Sequence, residues 1–250
     1  MKYFPITLLC FFISASSAPK ELLLEPFKVT KQSAIEFNLE AQDSRNIGAS
    51  MGKRFAITDI LYYGPIACQL DVEANTNIGL YRAYNESFKL RTMDFFIGIP
   101  VVINYEDLFY TLEMNHISDH MGDGFNRKTL DKKIIYSREY VSNFLTYRIL
   151  NKHGKISPYI GVGKVLRVYP SRLGSKFIEV GVEAFLMEDV FVYSNFEYNQ
   201  DTRYLNQTFR TGIKPFENLG FYVNFYTGAD KRGQFYKKYI TYQTIGVFLE

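Results

Sequence analysis

Apolar side chains return at every second position along the segment Thr92–Tyr105. Met93, Phe95, Ile97, Ile99, Val101 and Ile103 share one face, while Thr92, Asp94, Phe96, Gly98 and Asn104 share the other. A period of two belongs to the extended strand, whose successive side chains point to opposite faces, and excludes a helix, whose apolar positions recur at three and four. The same alternation sets Ile178, Val180, Val182, Ala184 and Leu186 against Glu179, Gly181 and Glu183. It also sets Phe221, Val223 and Phe225 against Tyr222, Asn224 and Tyr226. Twelve strand-like segments are separated by polar or Gly-bearing breaks: Ser33–Ala41, Asn46–Ile57, Pro65–Asn75, Thr92–Tyr105, Leu108–Ser118, Lys133–Leu150, Ile156–Leu166, Lys176–Leu186, Val190–Asn199, Tyr204–Ile213, Gly220–Thr227 and Tyr236–Leu249. Ile78–Phe88 is the one candidate for a short helix and is read as a loop.

The breaks alternate in length. Thr58–Gly64, Glu106–Asp107, Asn151–Lys155, Met187–Asp189 and Lys214–Leu219 are short, whereas Thr76–Arg91, Asp119–Lys132, Arg167–Ser175 and Gly228–Phe235 are longer. An even strand count with short turns on one rim and long loops on the other is the pattern of an outer-membrane barrel. A soluble sandwich shares the alternation but does not require one-sided loops. Tyr105, Phe109, Tyr147, Tyr169, Phe216 and Phe235, near strand ends, are expected to form interfacial girdles. On the polar faces Asp94, Arg138, Glu179, Glu183 and Glu197 are expected to point into a narrow lumen as an ion-pair network. The expected fold is therefore all-β, an antiparallel transmembrane β-barrel of about 12 strands.

The start of the chain fits that destination. Lys2, the apolar run Phe4 to Ile13 and the small residues Ser14-Ala15-Ser16-Ser17-Ala18 have the order of a cleaved secretory signal. The apolar run is about half the ~20 residues a spanning helix needs. The expected organisation is a signal peptide over 1–18, a flexible lead over 19–31 and a barrel over 32–250. Removing the signal takes Cys10 with it and leaves Cys68 alone, so no intrachain disulfide is expected. The net charge of +3 is spread without a basic run, which gives no sign of nucleic acid. Outer-membrane lipid is the expected partner, in a Gram-negative-type bacterium; oligomeric state is not legible.

Chemistry concentrates in Asn115–Phe125, which holds two of the chain's three histidines, His116 and His120. Period two places His116 and Ser118 on the same face as the apolar Leu108, Tyr110, Leu112 and Met114, at the outer end of the fifth strand. A polar pair facing lipid is costly unless it is satisfied or used. Three readings follow. His116 and His120 order the long loop, with Gly122 and Gly124 supplying turn conformations. Alternatively, Ser118 is a nucleophile and His116 its base, with Glu139 orienting the imidazole by parity on the sixth strand and Asp123 a further candidate from the loop. In the third, His120, Asp119 and Asp123, with His116, hold a divalent cation such as calcium. At the level of the whole chain the reading is an outer-membrane barrel of undefined activity, with a lipid acyl hydrolase as the alternative and a narrow pore or ligand-binding barrel as a third.

The His116-x-Ser118 pair at the outer end of a lipid-facing strand resembles outer-membrane phospholipase A and the lipid A deacylases, in which the Ser is the nucleophile and the His its base. Only those two residues carry over. The third member in those families follows about a dozen residues after the Ser, where this chain has Leu130, and their Asn-Gly is here Asp119-His120. A broader resemblance, over Asn46 to Phe185, is to the bacterial domain-of-unknown-function 1207 family. It rests on His116-Ile117-Ser118-Asp119-His120-Met121-Gly122-Asp123, Tyr136-Ser137-Arg138-Glu139, the run Thr92–Gly98 and Tyr159-Ile160-Gly161-Val162-Gly163. That resemblance implies an outer-membrane barrel.

Overall fold

A computed structural model describes residues 35–41, 45–82, 87–122, 136–169, 176–186, 189–200, 203–230 and 238–249. The signal segment, the lead, the loop from 123 to 135 and the girdle candidate Phe235 lie outside these residues. The strands are β1 (Ile35–Glu40), β2 (Asn46–Tyr63), β3 (Ile66–Arg82), β4 (Phe88–Tyr105), β5 (Leu108–Met121) and β6 (Tyr136–Tyr147, resumed after Arg148 as Ile149–Asn151). They continue as β7 (Gly154–Tyr169), β8 (Lys176–Leu186), β9 (Val190–Asn199), β10 (Leu205–Phe216), β11 (Leu219–Ala229) and β12 (Tyr239–Leu249). Every strand pairs antiparallel with its sequence neighbours, and β1 closes on β12 from Ile35↔Leu249 to Glu40↔Thr244. The result is a closed antiparallel barrel of twelve strands, with no exposed sheet edge of the kind that invites aggregation.

Each expected segment corresponds to one strand, but two expectations are corrected. Most of Ile78–Phe88 that is described is strand: β3 runs through Arg82 and β4 begins at Phe88, paired from Ile78↔Met93 to Arg82↔Phe88, and residues 83–86 lie outside the described residues. The alternation of Ile78 and Leu80 with Gly79 and Tyr81, and of Phe88 and Leu90 with Lys89 and Arg91, is too short on either strand to stand out beside Asn77 and Arg82. Phe109 is not part of a girdle. It is 1% exposed and packs on Val102 inside the barrel. Tyr105, Tyr147, Tyr169 and Phe216 do stand exposed at strand ends.

The outer wall is apolar. Ile97, Ile99, Met114, Ile160, Ile178, Phe209, Phe221 and Ile245 are all exposed, and each faces away from the lumen. A contiguous apolar belt of this extent needs lipid or a partner to cover it. The lumen is packed from inside by aromatic rings laid over glycines on adjacent strands. A Cβ at Gly161 would fall 2.3 Å from the Phe144 ring, and one at Gly220 would fall 2.2 Å from the Phe248 ring. Phe144, Tyr159 and Tyr193 form one cluster, and Phe191, Tyr222 and Phe248 another. Charges inside are paired: Arg54 grips Asp71 through Nε at 2.8 Å, and Arg210 grips Glu36 at 3.1 Å.

Candidate functional site

The segment of interest is the upper part of β5, where the period-two alternation continues past the apolar band. Glu113, Asn115 and Asp119 are buried toward the lumen, while His116, Ser118 and His120 follow Leu112 and Met114 on the outer face. Hydrogen bonding to β4 and β6 fixes the rows: Ile97, His116 and Glu139 align across three strands, as do Phe95, Ser118 and Ser137. The strand ends where Gly122 N donates to Arg91 O at 2.9 Å. A side chain at Gly122 would meet Leu90 O at 2.2 Å, so this close backbone approach requires glycine.

Ser118 Oγ lies 2.8 Å from His120 Nε2, a full hydrogen bond between neighbours on one strand face. The His120 ring rests edge-on against Phe95, with centroids 5.9 Å apart. His116 Nδ1 lies 3.8 Å from Glu139 Oε1, an ion-pair distance that is too long for a hydrogen bond. Both partners are about two-fifths exposed (45% and 38%), so the pair contributes little to stability. The expected nucleophile therefore stands between two imidazoles, and the one it touches is His120. Its spacing of two from Ser118 was readable in the sequence.

The remaining candidates separate. Asp119 is 1% exposed on the lumen side, so it and His120 stand on opposite faces of the wall, and Asp123 lies outside the described residues. No group of three or more His, Cys, Asp or Glu side chains that could hold a metal ion occurs among the described residues. Among the described residues, Glu139 is the one carboxylate in the rows beside Ser118, short of the several oxygens calcium takes. Gly122 N–H is already used by Arg91, which removes it as a donor to a reacting oxygen.

Inside, Asp94, Arg138, Glu179 and Glu197 line a cavity of about 560 Å³, whereas Glu183, 2% exposed, lies outside it. Arg138 stacks over Tyr140 at 4.7 Å and Phe177 at 5.2 Å. Glu179 accepts from Tyr159 at 3.0 Å and Asn195 at 2.6 Å. Sequence reasoning missed Arg167. A bulge in β7, where Glu139↔Arg167 is followed by Tyr140↔Val165, brings Arg167 into the outer row of His116 and Glu139.

A closed twelve-stranded antiparallel barrel with an apolar outer wall and a polar, ring-packed lumen defines an outer-membrane-type barrel protein. The fold is similar to outer membrane phospholipase A from Escherichia coli, with a TM-score of 0.60 at 12% identity over 88% of this chain and 90% of that one. It is similar to the same extent to the calcium-bound phospholipase dimer of Salmonella typhi, with a TM-score of 0.60 at 12% identity over 92% and 94% of the two chains. No curated protein sequence matches the chain. A family model does, over residues 7–250, and the chain belongs to that family, described as protein of unknown function DUF1207.

Proposed function

We propose that this barrel is a lipid acyl hydrolase of the outer membrane, with Ser118 as its nucleophile and His120 as the base. The observation that carries the reading is the 2.8 Å contact between Ser118 Oγ and His120 Nε2 on the outer face of the wall. A hydroxyl and an imidazole at hydrogen-bond distance are the minimal unit of an activated serine, and this pair stands where a lipid ester can reach it without leaving the bilayer. Ser118 Oγ attacks the ester carbonyl carbon while His120 Nε2 takes its proton. The tetrahedral intermediate collapses, and the imidazolium returns the proton to the leaving alcohol oxygen. Water, deprotonated by the same imidazole, then releases the acid from the serine. His116, with Glu139 beyond it, is the second imidazole available to Ser118 by rotation of its side chain. The fold is also that of proteins named outer membrane phospholipases, which is compatible with the reading. No step is routed through a cation, because the described residues do not assemble a site for one.

The test is hydrolysis of phospholipid and of lipid A by refolded protein in detergent micelles, with calcium and with a chelator. Ser118→Ala should abolish activity, and His120→Ala should lower it by about 10²–10⁴-fold, the usual contribution of a general base. His116→Ala discriminates the two imidazoles: a loss as large as that of His120→Ala would move the base to His116. Wild-type protein inactive on both lipids, or fully active Ser118→Ala, would sink the reading. The Phe95–His120 ring contact supports a second reading in which Ser118 and His120 anchor the loop that follows. In that case Ser118→Ala changes loop proteolysis and no chemistry.

A further inference from the structure

Beside the Ser118 face, the outer wall carries two lysines set directly against each other. The outward positions of β7 run Ile160, Val162, Lys164, and those of β8 run Val180, Ile178, Lys176. Lys164 and Lys176 are direct partners across the two strands, and both are exposed. Residues opposed in an antiparallel pair hold their Cβ atoms about 4.5–5.5 Å apart, so like charges there destabilise the sheet. The bulge at Leu166 makes Arg167 the next outward charge above Lys164, in the row of Glu139. Among the described residues none of these three cations forms an ion pair, and Glu139 lies instead 3.8 Å from His116. The neighbouring strand adds no carboxylate on this side. There Phe196, Tyr198 and Gln200 face outward, while Glu197 lines the lumen and accepts from Asn206.

The position of the pair says what neutralises it. Directly below, Val162 pairs with Ile178 and Ile160 with Val180, and all four are exposed on the apolar wall. Tyr198, the partner of Ile178 on β9, is exposed in the same row, as aromatic residues are where a barrel wall meets headgroups. The lysines therefore stand at the top edge of the apolar belt. A single lysine there reaches water on its long stem, but two face to face keep a repulsion that a shared anion removes. A soluble anion answers the charge and leaves the apolar rows beneath it uncovered. A lipid answers both, with phosphate oxygens accepting from the ammonium groups and from the guanidinium fork. A zwitterionic headgroup brings its own cation to that phosphate and neutralises the site only in part. We propose that Lys164 and Lys176, with Arg167 above them, bind a lipid of net negative charge, its headgroup phosphate bridging the lysines and its chains lying over Val162 and Ile178. The site needs no chemistry at Ser118 and does not rest on the hydrolase reading.

The experiment is native mass spectrometry of the refolded full-length barrel in neutral detergent, titrated with ether-linked phosphatidylglycerol. That lipid has no acyl ester, so binding is read apart from any hydrolysis. Ether-linked phosphatidylcholine with the same chains is the comparison, and inorganic phosphate at matched ionic strength is the competitor. Phosphatidylglycerol should bind about tenfold or more tighter than phosphatidylcholine, and inorganic phosphate should not displace it. Lys164→Gln and Lys176→Gln should each weaken phosphatidylglycerol about fivefold, the usual effect of one basic residue near an anionic lipid surface, and leave phosphatidylcholine unchanged. Lys152→Gln, on the turn at the opposite rim, removes the same charge and should change neither lipid. In phosphatidylcholine vesicles Lys176→Gln should resist urea at least as well as the wild type, because the repulsion is gone, which also reports that the variant folds. Equal binding of the two lipids, displacement by inorganic phosphate, or a loss with Lys152→Gln as large as with Lys176→Gln overturns the proposal.

Discussion

A methyl group added at Gly163 should destabilise the barrel, and the cause can be traced to one ring. Gly163 on β7 is the direct partner of Phe177 on β8, and an added Cβ would fall 2.0, 2.1 and 2.8 Å from atoms of the Phe177 ring. Carbon contacts settle near 3.5–4.0 Å, so the ring must retreat by roughly 1.5 Å. It has little room: Phe177 is 6% exposed, stacks edge-on against Tyr140 at 5.7 Å and carries Arg138 at 5.2 Å. Overpacking of this kind costs about 1–3 kcal/mol. Replacing Gly by Ala in a strand returns roughly 0.5–1 kcal/mol through the unfolded chain, so the net expectation for Gly163→Ala is a loss of about 1–2 kcal/mol. Gly48 is the control. A Cβ there would meet the Asn38 amide, 2.4 Å from Oδ1, and that amide is the tip of a short polar side chain able to turn aside into the cavity. Gly48→Ala should therefore be near neutral. Urea unfolding in lipid vesicles, followed by loss of the heat-modifiable band, reads both. Adding Phe177→Leu should recover part of the Gly163→Ala loss, with a coupling of about 1 kcal/mol. Strict additivity of the two changes, or equal effects at Gly163 and Gly48, would refute the ring-over-glycine account.

Three further outcomes follow from the same wall. An outward Val182→Arg change should impair assembly by about 2–4 kcal/mol where the side chain lies near mid-bilayer, and folding yield in vesicles measures it. Arg54→Met should cost about 3–5 kcal/mol by stranding Asp71, which is 0% exposed, whereas Arg54→Met with Asp71→Leu should be far milder. The urea midpoints of the single and double variants decide between a stranded charge and a simple loss of packing. Finally, the protein should sediment with outer membranes and shift gel mobility on boiling; recovery as a soluble monomer would contradict the apolar wall.

Much of the fold was legible because one physical rule governs most of it. A barrel between lipid and a polar lumen must alternate, and Phe221 to Tyr226 or Ile178 to Glu183 display that alternation directly. The rule stops where lipid stops. The upper β3–β4 ribbon, Ile78–Arg82 with Phe88–Arg91, alternates over only two apolar residues on each strand, Ile78 and Leu80 against Phe88 and Leu90, too short a pattern to stand out, and reads as a loop. Phe109 misled for a related reason: an aromatic near a turn suits a girdle or a plug, and only its parity with Thr111 and Glu113 tells which. At the candidate site, parity placed His116 and Ser118 together, but which imidazole turns toward the hydroxyl is a matter of rotamers that no spacing encodes.

Arg167 was hidden for a different reason, and its position bears on the outer face as a whole. Along β7 the even residues Ile160, Val162 and Lys164 are exposed on the outside while Tyr159, Gly161 and Gly163 are buried. Carried forward without interruption, that alternation would point Arg167 and Tyr169 into the lumen. The extra residue at Leu166 inverts it, since a bulge sets two residues of one strand against one of its partner. Above the bulge, Arg167 pairs with Glu139 and Tyr169 with Ser137, so both move into the outer rows of His116 and Ser118. Bulges recur beside working sites because they re-aim a side chain without moving the scaffold. Here the re-aimed charge is a guanidinium, fitted by its fork of donors to a phosphate oxygen, and it stands in the row next to a hydroxyl already hydrogen-bonded to an imidazole. Under the hydrolase proposal, that guanidinium is the group that would hold the phosphate of a lipid while its ester is attacked, and Arg167→Ala should then weaken lipid binding without disturbing the barrel.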